Sequence, residues 1–139
     1  MRDSYFAGLF DGEGSFSIGW TKKKNYINFS PKMTMSLKYG GQIIEKLQRR
    51  FGGSVYYYKD GMTRWNLSKK QLLISATKSL LPFLQIKRKI AIKFLNILSF
   101  FPKSRKERWN KVSMNKVTTM AVSLNPVKSR KRTLENSLL

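Results

Sequence analysis

Residues 15–21 alternate without a break, with Phe16, Ile18 and Trp20 on one side and Ser15, Ser17, Gly19 and Thr21 on the other. A period of two sends successive side chains to opposite faces of an extended backbone, so this stretch must be a strand with one face buried and one open. The basic turn Lys22, Lys23, Lys24, Asn25 leads into a second alternating run, residues 26–38. Here Phe29, Met33 and Met35 face one way and Asn28, Ser30, Lys32, Thr34 and Ser36 the other. Pro31 has no N–H for a ladder, which places it at an edge or a bulge.

The flanking segments change period. Ser4 is placed to cap a short apolar helix over residues 5–11, which the glycine-rich run 12–14 then breaks. Ile43, Ile44, Leu47 and Phe51 have helical spacing, closed by Gly52 and Gly53. Residues 55–59 and 62–67 read as a hairpin about Asp60-Gly61, a favoured two-residue turn. Helices follow over 71–81, 86–100 and 106–124, with Pro82 and Pro102 as punctuation. This order predicts an α+β domain over residues 1–124, a four-stranded antiparallel sheet with helices on one face. Residues 125–139 form a basic tail with Lys128, Arg130, Lys131 and Arg132.

Charge narrows the partner. The chain carries 28 Lys and Arg against 7 Asp and Glu, a net of +21. Such self-repulsion is best tolerated beside a polyanion, nucleic acid first and an anionic membrane surface second. A merely basic soluble protein fits less well, because surfaces ordinarily intersperse both signs. The apolar stretch 94–101 is far short of the roughly 20 residues a membrane span needs. The start has no apolar signal-peptide core, so a soluble protein without membrane association is expected. With no cysteine and no histidine, thiolate ligands and imidazole bases are excluded. Any metal is held by oxygen, which suits hard cations such as magnesium or calcium.

Of the seven carboxylates, Asp11 and Glu13 form the one close pair, at a helix C-terminus among glycines. The negative helix pole repels acids there, and a bound cation offsets that cost. Glycines also admit carbonyls and a phosphate at short range. Taken alone, Asp-Gly-Glu-Gly also fits an ordinary polar turn.

The residues just before it add more. Phe6-Ala7-Gly8-Leu9-Phe10-Asp11-Gly12-Glu13-Gly14 resembles the signature of the LAGLIDADG homing endonucleases. It matches at Ala7, Gly8, Leu9, Asp11 and Gly14, with Phe6, Phe10, Gly12 and Glu13 replacing Leu, Ile, Ala and Asp. Leu81-Pro82-Phe83-Leu84-Gln85-Ile86-Lys87-Arg88-Lys89 is similar to a stretch in that family where a lysine near the cleavage centre follows a Pro-Phe-Leu run. The resemblance covers residues 4 to about 124 and implies the αββαββα fold of that family, with added C-terminal helices.

The resemblance implies function as well. Two signature helices pack together, Ala7, Gly8, Asp11 and Gly12 lying at the interface, where small residues allow close approach. Each helix delivers Glu13 as catalytic metal ligand, with the Gly12 carbonyl assisting. Asp11 is structural at the helix end or one step behind the metal. Lys87 neutralises developing phosphate charge, or is an ordinary lysine of a basic helix. The motif occurs once, so the chain pairs with itself into a homodimer on a near-palindromic duplex of roughly two helical turns. One good carboxylate per chain cannot build a multi-ion phosphodiesterase centre, and two chains can. The implied cofactor is magnesium (Mg2+), with calcium (Ca2+) binding without supporting cleavage. Relatives often place a water-positioning polar residue where Leu37 falls, so either Ser36 or Lys38 takes that role by a slip of one residue or the chain manages without it.

On this reading the polar strand faces enter the major groove of double-stranded DNA. The first strand presents Ser17, Gly19 and Thr21, and the second Asn28, Ser30, Lys32 and Thr34. The hairpin presents Tyr57, Lys59, Arg64 and Asn66, and Lys22, Lys23 and Lys24 bind phosphate at the flank. A solvated sheet face is the plainer alternative. Phe16, Trp20, Phe29, Tyr56, Tyr58 and Trp65 are expected in the core. The rival functions are an intron-RNA maturase or non-cleaving DNA-binding protein on the same fold, and a membrane-surface protein using helix 86–100. Proteins resembling this one are usually encoded by mobile introns of organelles, phages or archaea.

Overall fold

The computed structural model describes residues 2–24, 26–102, 109 and 111–124. The helix α1 (Asp3–Glu13) runs into β1 (Gly14–Lys22), followed by β2 (Ile27–Lys38), α2 (Gly41–Phe51), β3 (Ser54–Tyr57) and β4 (Met62–Leu67). Then come α3 (Lys70–Leu80), a 3-10 turn (Leu81–Phe83), α4 (Arg88–Ser99) and α5 (Lys111–Leu124). The expected element order holds. The sheet has four strands in the order β1-β2-β4-β3, each pair antiparallel. The sequence-predicted start of α5 at residue 106 and the basic tail lie outside the described residues.

The alternation seen in the sequence sorts the two faces. Phe16, Ile18, Met33, Met35, Trp65 and Leu67 are buried on the side packed by helices. Phe6 and Phe10 of α1, Ile44 and Leu47 of α2, Leu73 and Leu80 of α3, and Phe94 and Ile97 of α4 complete that core. Phe10 meets Phe16 edge to face at 4.7 Å between ring centroids, and Phe16 meets Phe94 at 5.0 Å. This three-ring chain seats α1 and α4 on the same strand, and each such pair contributes about 1 kcal/mol beyond its burial.

Pro31 behaves as its chemistry requires. It pairs with Ile18 of β1, while the β2–β4 ladder begins only at Met33, so its missing N–H leaves no partner unserved. The first helix departs from expectation at both ends. It starts at Asp3 with Arg2 as N-cap, so Ser4 does not cap it, and it continues through Gly12 to Glu13. Packing of Phe10 against the core carries the helix past its glycines. It stops at Gly14, where a Cβ would lie 2.2 Å from the Phe10 ring.

The hairpin carries a larger correction. Tyr58 and Met62 close the loop through the Tyr58 N–H on the Met62 carbonyl at 2.9 Å, leaving Lys59, Asp60 and Gly61 as the turn, with Gly61 at φ +84°. A three-residue turn with glycine in the left-handed region replaces the expected two-residue one. The register therefore shifts by one: Tyr56 pairs with Arg64 and Tyr57 with Thr63. A one-residue shift moves every side chain of the strand to the other face.

No helix among the described residues is long and apolar enough to cross a membrane. At the α2–β3 junction, Gly53 sits at φ +95°, and a Cβ there would lie 2.6 Å from the Asn66 carbonyl oxygen and 2.9 Å from Trp65 Nε1. The same Nε1 donates to the Gly52 carbonyl at 2.8 Å. Gly53→Ala therefore combines backbone strain with a clash against a fixed strand, and should cost about 2–4 kcal/mol in urea denaturation. A cost below about 0.5 kcal/mol would contradict this packing.

Candidate functional site

The α1–β1 corner brings the chain's acids into view, and their partners separate them. Asp3 accepts both arms of the Arg50 guanidinium at 2.9 Å. Glu45 accepts the Tyr57 hydroxyl, which raises the Tyr57 phenol above its usual range. Asp60 accepts the Met62 N–H at 3.0 Å. Asp11 accepts the backbone N–H groups of Gln85 at 2.8 Å and Lys87 at 2.9 Å. Among the described residues Glu13 alone is a carboxylate with no hydrogen bond or ion pair, and it is exposed at the end of α1 beside exposed Gly12. A free carboxylate at a helix's negative pole, with a carbonyl next to it, is a hard-oxygen donor set suited to a divalent cation.

Lys87 arrives at this corner from the loop before α4. Its ammonium donates to the Asp11 carbonyl at 2.6 Å, two residues before Glu13. Glu13, Gly12, Asp11 and Lys87 thus share one end of the fold, although Asp11 and Lys87 are 76 residues apart. No group of three or more potential carboxylate ligands gathers within one chain among the described residues.

The two sides of α1 have different surroundings. Phe6, Ala7 and Phe10 are buried in the chain's own core. Ala7 is therefore not available to a second helix, contrary to its expected place at the interface. Phe10 follows Ala7 by three residues and Phe6 by four, so the three share the inward face of the helix. Gly8 and Gly12 lie on the exposed side, and a Cβ at either would meet nothing within 4 Å. Nothing among the described residues requires those positions to be small. Asp11, also expected at the interface, directs its carboxylate at the backbone of its own chain. A groove beside α1 is lined by Ser4, Gly8, Asp11, Phe83, Gln85 and Arg88, among others.

The uncovered sheet face collects the expected polar residues. Register pairs Ser17 with Lys32, Gly19 with Ser30, and Thr21 with Asn28. It then pairs Thr34 with Asn66 and Ser36 with Arg64. Partners in an antiparallel pair share a face, so these residues form one continuous surface. Tyr57 does not join it, because the hairpin shift turns it toward α2 and Glu45. Tyr56 and Tyr58, expected in the core, are each 50% exposed and line a hollow with Lys32, Arg64 and Asn66. Asn66 Oδ1 is buried there without a hydrogen-bond partner. Lys59 lines an adjoining hollow with Ser36 and Arg64. Lys22, Lys23 and Lys24 line another with Lys111 and Asn115 of α5, which the sequence did not single out. Leu37 packs against the core, and its neighbours Ser36 and Lys38 pair with Arg64 and Met62 on the open face.

The profile of the LAGLIDADG endonuclease family matches residues 6–102. Among solved structures, the homing endonuclease I-CvuI, in complex with I-CreI target DNA in the presence of Mg with the DNA not cleaved, is similar at a TM-score of 0.75 and 21% identity. That likeness covers 88% of this chain and 78% of that one. The homing endonuclease I-TnaI is similar at 0.72 and 24%, over 98% of this chain and 97% of the other. I-SmaMI, bound to an uncleaved DNA target in the presence of calcium ions, is similar at 0.73 and 21%, over 91% of this chain but 45% of that one. No curated protein matches the sequence.

The register itself is testable. With Tyr56 on the open face and Tyr57 on the face toward α2, Tyr56→Ala should weaken binding to a duplex about 3- to 10-fold, while Tyr57→Ala leaves it within about twofold. Fluorescence anisotropy with a labelled duplex distinguishes them, and the reverse order would mean the other register.

Proposed function

Because this chain belongs to the LAGLIDADG endonuclease family, we propose that it is a site-specific double-strand DNA endonuclease acting as a homodimer with a divalent metal ion. It hydrolyses one phosphodiester on each strand of a long, near-palindromic target. The observation that carries this reading is Glu13, a carboxylate without a partner among the described residues, at the end of a helix on which none of those residues covers Gly8 or Gly12.

A second copy packed on that side explains the two glycines, because backbones approach closely only where side chains are absent. It also brings a second Glu13 to the two-fold axis, and two carboxylates suit a phosphodiesterase centre better than one. The match over about half of the I-SmaMI chain fits a single unit that needs a partner unit.

Glu13, with the Gly12 carbonyl, would hold magnesium, and calcium without cleavage; the ion supplies charge to polarise a phosphoryl oxygen and to acidify water. The chain's own residues do the rest. Lys87 places a positive charge beside this corner, where it offsets charge on the phosphate as the bond breaks. The open sheet face, from Ser17, Gly19 and Thr21 through Asn28, Ser30, Lys32 and Thr34 to Arg64 and Asn66, sets the register on the bases. Lys22, Lys23 and Lys24 lie at its end, with Lys59 along the adjoining rim, where phosphates pass. An encoding mobile intron, in an organelle or in a prokaryotic or phage genome, would make the exon junction the substrate.

Incubating the protein with magnesium and a duplex spanning the uninterrupted insertion site should give one cut per strand. Glu13→Gln should lower that rate by about 100-fold or more while duplex binding persists. An unchanged rate would sink the assignment, and binding without cutting by the wild type would favour the maturase or non-cleaving alternative. A separate test addresses assembly. A Cβ at Gly8 meets nothing within 4 Å among the described residues, so with Gly8→Leu circular dichroism should remain native while sedimentation shows a shift from dimer toward monomer. A dimer that survives this substitution would place the interface elsewhere.

A further inference from the structure

Asp11 occupies a position where an acid is costly, the last turn of α1, and no basic residue of α1 sits in that turn to compensate. At the other side of the contact, α4 opens with the mirror problem. Its first turn holds no acid, begins with Arg88 and Lys89, and has no side-chain cap of its own at Lys87. Positive side chains at a positive helix pole, with orphan N–H groups beside them, are unfavourable. The two defects correct each other. The Asp11 carboxylate takes the N–H groups of Gln85 and Lys87, just before α4. The Lys87 ammonium takes the Asp11 carbonyl at the negative end of α1.

We propose that Asp11 is a positioning residue of the cleavage centre rather than one of its metal ligands. It ties residues 85–87 to the end of α1 and so holds the Lys87 ammonium near Glu13. The proposal rests on the endonuclease reading of Glu13 and Lys87 and adds the residue that fixes their spacing. Both oxygens of Asp11 already accept a backbone N–H, whereas those of Glu13 have no partner among the described residues. An asparagine at position 11 keeps the shape but turns an amide nitrogen toward one of the N–H donors. It also removes the charge that faces α4, so the loop should relax and release Lys87.

Three measurements on Asp11→Asn test this. Single-turnover cleavage in magnesium should fall about 10- to 100-fold, the scale of a slightly misplaced group, with duplex affinity in calcium retained. Lysine acetylation followed by mass spectrometry, in the absence of DNA and metal, should show Lys87 protected relative to exposed Lys89 and Lys93 in the wild type and as reactive as they are in the variant. In a Lys87→Met background, Asp11→Asn should change the rate by less than about twofold, since both act through one ammonium. A wild-type rate, unchanged Lys87 reactivity, or a full further loss in the Lys87→Met background would each overturn the proposal. So would a loss of metal affinity in the variant. If Asp11→Asn fails to fold, Asp11→Glu carries the test, since it retains a carboxylate and should keep Lys87 largely protected; full reactivity there would refute the tether. If the wild type leaves the insertion-site duplex uncut, the endonuclease reading fails, and the acetylation result then decides alone whether Asp11 holds Lys87.

Discussion

Phe10 lies against Phe16, and Phe16 against Phe94, so that α1, β1 and α4 share one aromatic contact in the core. The rest of the site depends on this packing. It brings α1 to the start of β1 and sets the turn from helix to strand at Gly14, where only a glycine clears the Phe10 ring. Glu13 is then the last residue of the helix and stands outside the core. Because α4 is anchored to the same strand, the loop before it brings Lys87 to the same corner. Interiors packed at crystal-like density transmit position well, and here they place two polar groups whose sequence separation would otherwise leave them unrelated.

Electrostatics divides the chain's few acids by task. A chain with 28 basic residues and seven acids has strong attraction available for every carboxylate. Asp3 joins α1 to α2 through Arg50, Glu45 bonds the edge strand through Tyr57, and Asp60 shapes the hairpin turn. Asp11 joins two helix ends. That Glu13 is left without a partner among the described residues is informative, since an arginine, a tyrosine hydroxyl or a backbone N–H occupies each of the other described acids. That acid faces outward on a helix whose exposed side also carries Gly8 and Gly12.

Much of this was legible in the residues. Period-two alternation separated the faces of β1 and β2 correctly, because a strand buried on one side tolerates no other register. The sequence places Pro31 at an edge or a bulge, and it lies where β2 has a partner on one side only. The Asp11-Gly12-Glu13 corner was found from charge and glycine placement, and the wider nonapeptide pointed to its family. The misses share a cause. Ala7 was counted with its glycine neighbours as an interface residue, although helical spacing with Phe6 and Phe10 turns it inward. Tyr56 and Tyr57 exchanged faces because Asp60-Gly61 is a good two-residue turn by composition, and the choice of a three-residue turn is made by how β3 meets β4.

The amino-acid sequence alone determined the order of elements, the split of each long strand into a greasy and a polar face, and the scarcity of acids that made one corner conspicuous. Those are local properties, written in spacing and composition over a few residues. Only the tertiary structure decided that Asp11 is bonded within its own chain while Glu13 has no partner among the described residues. It likewise decided that Lys87 reaches α1, that Tyr56 rather than Tyr57 lies beside Arg64, and that no described residue packs against Gly8 or Gly12. Each of these depends on which distant segment arrives at a given surface, and long-range packing fixes that arrival while local pattern does not encode it.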